Sequence, residues 1–251
     1  MLYLNDMDTE QKPRRPGRDL TTGPITSTLL VFALPVLGAN VLQSLNGSIN
    51  SIFVGRLLGE AALTATSNAN LVLFLLLGTV FGIGMAATIL VAQSVGAKDV
   101  AHARRIVGTS ATFFFAVSAV FAIFGWIFVD QILGALGTPA DALPLARSYL
   151  RIIFIAGPAM NLLSFVMTIL RGAGDSRTPF WFMALAVVLD IVLNPLLIAG
   201  IGPFPQLGIA GSATSTLVGQ MVAVVAILVL LYVKKHPLRL AGADQIGRAH
   251  V

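Results

Sequence analysis

The stretch VVLDIVLNPLLI, residues 187–198, sets an aspartate inside an apolar run, with an asparagine and a proline one helical turn further on. Followed outward, the run covers residues 179–200. That is close to the roughly 20 apolar residues a helix needs to cross the hydrocarbon core of a bilayer. A carboxylate at the centre of such a span costs about 2.5–3.5 kcal/mol on insertion scales. Asp190 is therefore expected to face a bundle interior or a wet cavity. Desolvation favours the neutral form of a carboxyl group, and a carboxyl that gains and loses a proton can exchange it for a cation. Asn194 lies at i+4 and shares the helix face of Asp190. Its amide can donate to the carboxylate and its carbonyl can coordinate an ion or a substrate. Pro195 offers no N–H to the carbonyl of Ile191, which leaves a free acceptor one turn from Asp190.

The rest of the chain repeats the apolar pattern. It is 56% hydrophobic and 11% charged, with mean hydropathy +0.87, whereas a soluble domain carries about 25% charge. Six segments reach spanning length: 25–54, 62–95, 106–132, 147–170, 179–200 and 209–233. They lack the two-residue alternation of barrel strands. The expected fold is all-α, a polytopic bundle of six transmembrane helices. Residues 1–24 are polar, contain no apolar core of signal-peptide length, and read as a cytoplasmic tail. Residues 25–235 form the membrane domain, and 236–251 a following cytoplasmic segment. Its last residues, QIGRAHV (245–251), back-translate into a common sequencing-adapter read. They are read as artefactual, with the native chain continuing beyond them.

Charge gives the orientation. Lys12, Arg14, Arg15, Arg18, Lys98, Arg104, Arg105, Arg171, Arg177, Lys234, Lys235 and Arg239 fall on one side of the spans, against Arg56, Arg147 and Arg151 on the other. The positive-inside rule then places both ends in the cytoplasm. The same rule accounts for the basic HARR loop without nucleic acid. No cysteine is present, and His102, His236 and His250 lie outside the spans without metal-ligand spacing. No paired catalytic groups and no nucleotide-binding loop appear in the sequence. Neither an enzyme nor a nucleotide-driven pump is expected, and energy would come from an ion gradient.

Polar residues also recur at helical spacing in other spans. Asn40, Gln43, Asn46 and Asn50 lie in the first, Ser67 and Asn70 in the second, and Asn161, Ser164 and Thr168 in the fourth. Together with one buried acid they point to a polar central cavity, although each stripe alone also suits interhelical hydrogen bonding. Gly78, Gly82, Gly84, Gly208, Gly211 and Gly219 permit close helix contact or bending, and Pro35 and Pro158 mark kinks.

Four segments resemble the multidrug and toxic compound extrusion (MATE) family. They are ALPVLGANVLQSLNGSINSIFVGRLLGEAAL (33–63), AQSVGAKDVAHARR (92–105), LRGAGDSRTPF (170–180) and DIVLNPLLIAGIGPFPQLGIAGSATST (190–216). The resemblance covers about residues 24–235. It implies a twelve-span transporter of two six-helix lobes, of which this chain supplies the N-terminal one. It further implies export of cationic or amphipathic compounds in exchange for H⁺ or Na⁺ across a bacterial inner membrane, with no cofactor. The partners would be a small-molecule substrate, membrane lipid and the C-terminal lobe. The family commonly has an aspartate in the first span, where INSIFVG (49–55) has Asn50. Some members read Asn, three residues, then Asp-Pro in the fifth span, and here the order is reversed. Asp190, Asn194 and Asn50 are the expected ion or proton site, and Gln43, Asn46 and Asn161 the expected cavity lining. A single carboxylate suits H⁺ better than Na⁺. Two rivals remain: a lipid-linked precursor flippase of the same superfamily, which would need basic residues deep in the spans, and a non-transporting membrane scaffold.

Overall fold

The computed structural model describes residues 24–233. The N-terminal tail up to residue 23 and the segment 236–251 with its adapter-like end lie outside the described residues. So do Lys12, Arg14, Arg15, Arg18, Lys234, Lys235, Arg239, His236 and His250. Among the described residues the regular elements are helices: α1 (Ile25–Leu58), α2 (Glu60–Gly96), α3 (Val100–Ile127), α4 (Val129–Ala135), α5 (Leu143–Gly172), α6 (Arg177–Ala199) and α7 (Ile209–Val233). Of these, α1, α3, α5, α6 and α7 are long and apolar enough to cross a membrane. The second expected segment falls in α2, which has 37 residues.

Local chemistry sets the joints. Gly59 alone links α1 to α2, at φ 85° and ψ −173°, a conformation essentially restricted to glycine. The first span therefore runs to Leu58, beyond the expected 54. Asp99 caps α3 by accepting the His102 N–H at 2.9 Å. Asp175 accepts the N–H groups of Arg177 and Thr178 at 3.1 and 3.0 Å at the start of α6. Gly200, at φ 68°, closes α6 in the left-handed conformation. The third segment was expected to run unbroken to residue 132. Instead the helix breaks at Phe128 and restarts as the short α4. The break lets the Asp130 carboxylate meet Arg147 Nε of α5 at 2.5 Å.

The packing is centred on α5, which lies against α2, α3 and α7, while α6 pairs with α7 and with α1. Two apolar clusters form. One joins Val91, Val107, Phe114, Leu163, Leu170, Ala186 and Ile227. The other joins Val54, Ala65, Leu133, Leu150, Ile153, Ile198 and Ala213. Along α6, Ala186 belongs to the first and Ile198 to the second, so Asp190 and Asn194 fall between them. Large apolar side chains such as Leu34, Phe113, Val188 and Val225 are exposed, as lipid-facing positions require.

The glycines divide by role. A Cβ on Gly211 would lie 2.5 Å from the Leu197 carbonyl, and one on Gly219 would lie 2.8 Å from Ala186 O. With Ser215 midway, they form a small-residue stripe that brings the α6 and α7 backbones together. Gly84 meets Phe114, whereas Gly82 has open space. Gly208, at φ 57°, serves the turn into α7 rather than a helix contact. The helices continue through Pro35, Pro158 and Pro195.

Candidate functional site

The polar layer between the two apolar clusters is built from α1, α6 and α7. Asp190 is 3% exposed. Its Oδ2 accepts from Asn46 Nδ2 of α1 at 2.9 Å. Its Oδ1 accepts from Ser215 Oγ at 2.5 Å and Thr216 Oγ1 at 3.2 Å, both on α7. One turn further on, Asn194 donates through Nδ2 to Asn50 Oδ1 of α1. Ser212 Oγ of α7 donates to the same oxygen at 2.9 Å.

These contacts form a ladder. The pairs Asn46–Asp190 and Asn50–Asn194 have the same sequence separation of 144. Advancing one turn on α1 therefore advances one turn on α6. The two helices run parallel, as the first and fifth of alternating spans must. Asn194 was expected to donate to the carboxylate of Asp190. It donates to Asn50 instead, because side chains four apart on α6 each face their own partner on α1.

The six sequence-derived residues occupy different places. Asp190, Asn194, Asn46 and Asn50 come together in the ladder, so Asn46 holds the carboxylate directly. Gln43, one turn before Asn46, is exposed on the outside of this bundle. Asn161 is buried in α5 at 9% exposure, apart from the hydrogen-bonded set. Ser212, Ser215 and Thr216 went unread in the sequence. Their i, i+3, i+4 spacing was the available signal, the same one that marked the asparagines of α1.

The donor set can accommodate both protonation states of the carboxyl. Ser215 Oγ lies 2.8 Å and Thr216 Oγ1 3.3 Å from the Ser212 carbonyl, so each hydroxyl has two acceptors in reach. A hydroxyl has one proton to donate and two lone pairs to accept with. With Asp190 ionised, both hydroxyls can point at Oδ1. With Asp190 neutral, one of them can turn its proton to the Ser212 carbonyl and accept a hydrogen bond from the carboxyl O–H. Asn194 Oδ1 is buried without a hydrogen-bond partner, so its acceptor capacity is unused. Among the described residues no three His, Cys, Asp or Glu side chains cluster as a metal site would need.

The family model described as MatE matches residues 35–196. A Bacillus subtilis protein named "Probable multidrug resistance protein YoeA" is 38% identical over 233 residues, covering 93% of this chain and 50% of that protein. The "FAD transporter" of Shewanella oneidensis is 31% identical over 225 residues, covering 90% of this chain and 50% of that protein. A solved structure described as a MOP superfamily transporter from Pyrococcus furiosus superposes with TM-score 0.81 at 24% identity, over 90% of this chain and 49% of that one. This last likeness is one of fold. The chain spans about half the length of the curated relatives it matches.

Proposed function

The chain belongs to the MatE family, and from that premise we propose that residues 25–235 are the N-terminal lobe of a secondary active antiporter. The antiporter exports cationic or amphipathic compounds in exchange for protons by alternating access. Asp190 is the proton-coupling group. Asn46, Ser215 and Thr216 hold its charged form, and Asn50 and Asn194 support the adjoining turn. Gln43 and Asn161 line the substrate path. Both ends of the lobe face the cytoplasm, and the second lobe supplies the opposite wall.

One observation carries the reading. Asp190 is the described carboxylate buried within a span, and neutral donors, not a cation, hold it. A carboxylate locked to an arginine would have no reason to change state. One held by hydroxyls can exchange its proton when helices move. A cationic substrate and a proton then compete for the same negative charge. Protonation removes that charge, releases the substrate and lets α1 and α7 repack against α6.

A proton is favoured over Na⁺ because the layer has a single carboxylate and its oxygens already accept protein donors. Asn194 Oδ1 leaves a secondary role for a weakly held cation or water. One relative is named an FAD transporter, and FAD carries an anionic pyrophosphate. The polar layer described above contains no Lys or Arg to receive such a group, which favours a cationic cargo here. The same lack argues against a flippase for anionic lipid-linked precursors.

The test is drug-stimulated proton flux in proteoliposomes carrying the full-length transporter. Flux should be present in the parent and lost in Asp190→Asn. Unchanged coupling in the variant would reject the assignment of Asp190.

A further inference from the structure

Two arginines of α5, Arg151 and Arg171, have a buried Nε without a hydrogen-bond partner. They stand 20 residues apart with no charged residue between them. At about 1.5 Å per residue that is about 30 Å of helix, the thickness of the bilayer's hydrocarbon core. With Arg171 at one boundary, Arg151 sits at the other, at the level of lipid phosphates.

The surroundings of Arg151 are specific. Its guanidinium lies over the ring of Trp126, 5.2 Å from the centroid, so the indole covers one face of the cation. Trp126 remains 46% exposed. One turn nearer the helix start, Arg147 of α5 takes the Asp130 carboxylate at 2.5 Å. The contacts Asp130–Arg147 and Trp126–Arg151 form successive rungs between the antiparallel α3–α4 segment and α5. Asp130 is occupied by Arg147, so Arg151 keeps one positive charge that no described carboxylate compensates.

We propose that Arg151 and Trp126 form a binding site for the headgroup of an anionic phospholipid. A guanidinium presents paired donors that match phosphate oxygens. The exposed indole suits the membrane boundary, where aromatic side chains lie along lipid. The charge count selects the lipid class. A headgroup of net charge −1 neutralises the group, whereas a zwitterionic headgroup brings its own cation and leaves the excess in place. A free phosphate ester would meet the arginine but offers no acyl chain to the exposed face of Trp126. Asp190 and the α1–α6–α7 ladder take no part, so the site stands apart from transport.

Trp126 is its own reporter. These 251 residues hold two tryptophans, and Trp181 is 68% exposed, so Trp181→Phe, with every tryptophan of the second lobe also changed to Phe, leaves Trp126 alone. The full-length transporter with Trp126 as its single tryptophan is reconstituted in vesicles containing phosphatidylglycerol or phosphatidylcholine with brominated acyl chains, and quenching of Trp126 is measured. Phosphatidylglycerol should reach Trp126 about two- to fivefold more favourably, the scale of one partly screened charge interaction. Arg151→Gln in the same background should remove the preference. Arg151→Lys should retain part of it. Equal quenching by the two lipids in the single-tryptophan protein itself overturns the proposal, and that comparison does not depend on whether Arg151→Gln folds. Reversal of the preference by millimolar glycerol phosphate would show that the site reads a free phosphate ester, and would overturn the lipid assignment.

Discussion

Replacing Gly219 with alanine should separate α6 from α7 at the level of the buried acid. A Cβ at this position would lie 2.8 Å from Ala186 O and 3.5 Å from the Asp190 backbone N. The first is backbone, which cannot rotate away as a flexible side chain can. Restoring ordinary contact, about 3.4 Å, requires the helices to part by about 0.6 Å. Thr216 is one turn before Gly219 and reaches Asp190 across 3.2 Å. If the shift is fully transmitted, that distance grows to about 3.8 Å, beyond hydrogen-bonding range. Overpacking of this kind costs about 1–3 kcal/mol. Thermal unfolding in detergent should therefore show a lowered midpoint for Gly219→Ala, and drug-stimulated proton flux should fall with it. Gly108→Ala on α3 is the control, because a Cβ there meets nothing within 4 Å. It should be neutral or gain up to about 1 kcal/mol from helix propensity. Equal stability of Gly219→Ala and Gly108→Ala, with coupling intact, would refute the tight α6–α7 contact.

Ser215→Ala removes the 2.5 Å donor to Asp190 and should cost about 1–3 kcal/mol, with a larger loss of proton coupling than Thr216→Val, whose hydroxyl is at 3.2 Å; proteoliposome flux ranks the two. Asn50→Asp places a second carboxylate beside Asn194 and Ser212, so drug transport should become responsive to Na⁺, read as efflux against external Na⁺ at fixed pH. Arg147→Ala breaks an ion pair whose side chains are 43% and 45% exposed. Solvent screening limits its loss to under about 1 kcal/mol, and a much larger drop in unfolding midpoint would show that the pair is shielded from water.

The sequence was legible where composition and period carry the physics. Long apolar runs predicted the five helices able to cross a membrane, and the lone aspartate in one of them predicted the buried carboxyl. The asparagines of α1 could be placed on one face by their spacing. Which rung met which could not, because the register between α1 and α6 is a tertiary property. Asn194 therefore carried a wrong donor assignment although its burial was foreseen. Ser212, Ser215 and Thr216 were overlooked because small hydroxyl residues also bond to their own helix carbonyls, as Thr214 does to Ala210 at 2.7 Å. The break at Phe128 was hidden inside a continuous apolar run. Asp130 was the one residue there that signalled a helix end, and its meaning depended on Arg147, distant in sequence.

The central claim is that the Asp190 carboxyl exchanges a proton for a cationic substrate. It is tested most directly by adding a cationic drug to the purified, weakly buffered full-length transporter and following protons released to an indicator dye. The account predicts release from the parent and none from Asp190→Asn at equal drug occupancy. Release of the same size from both proteins would contradict it.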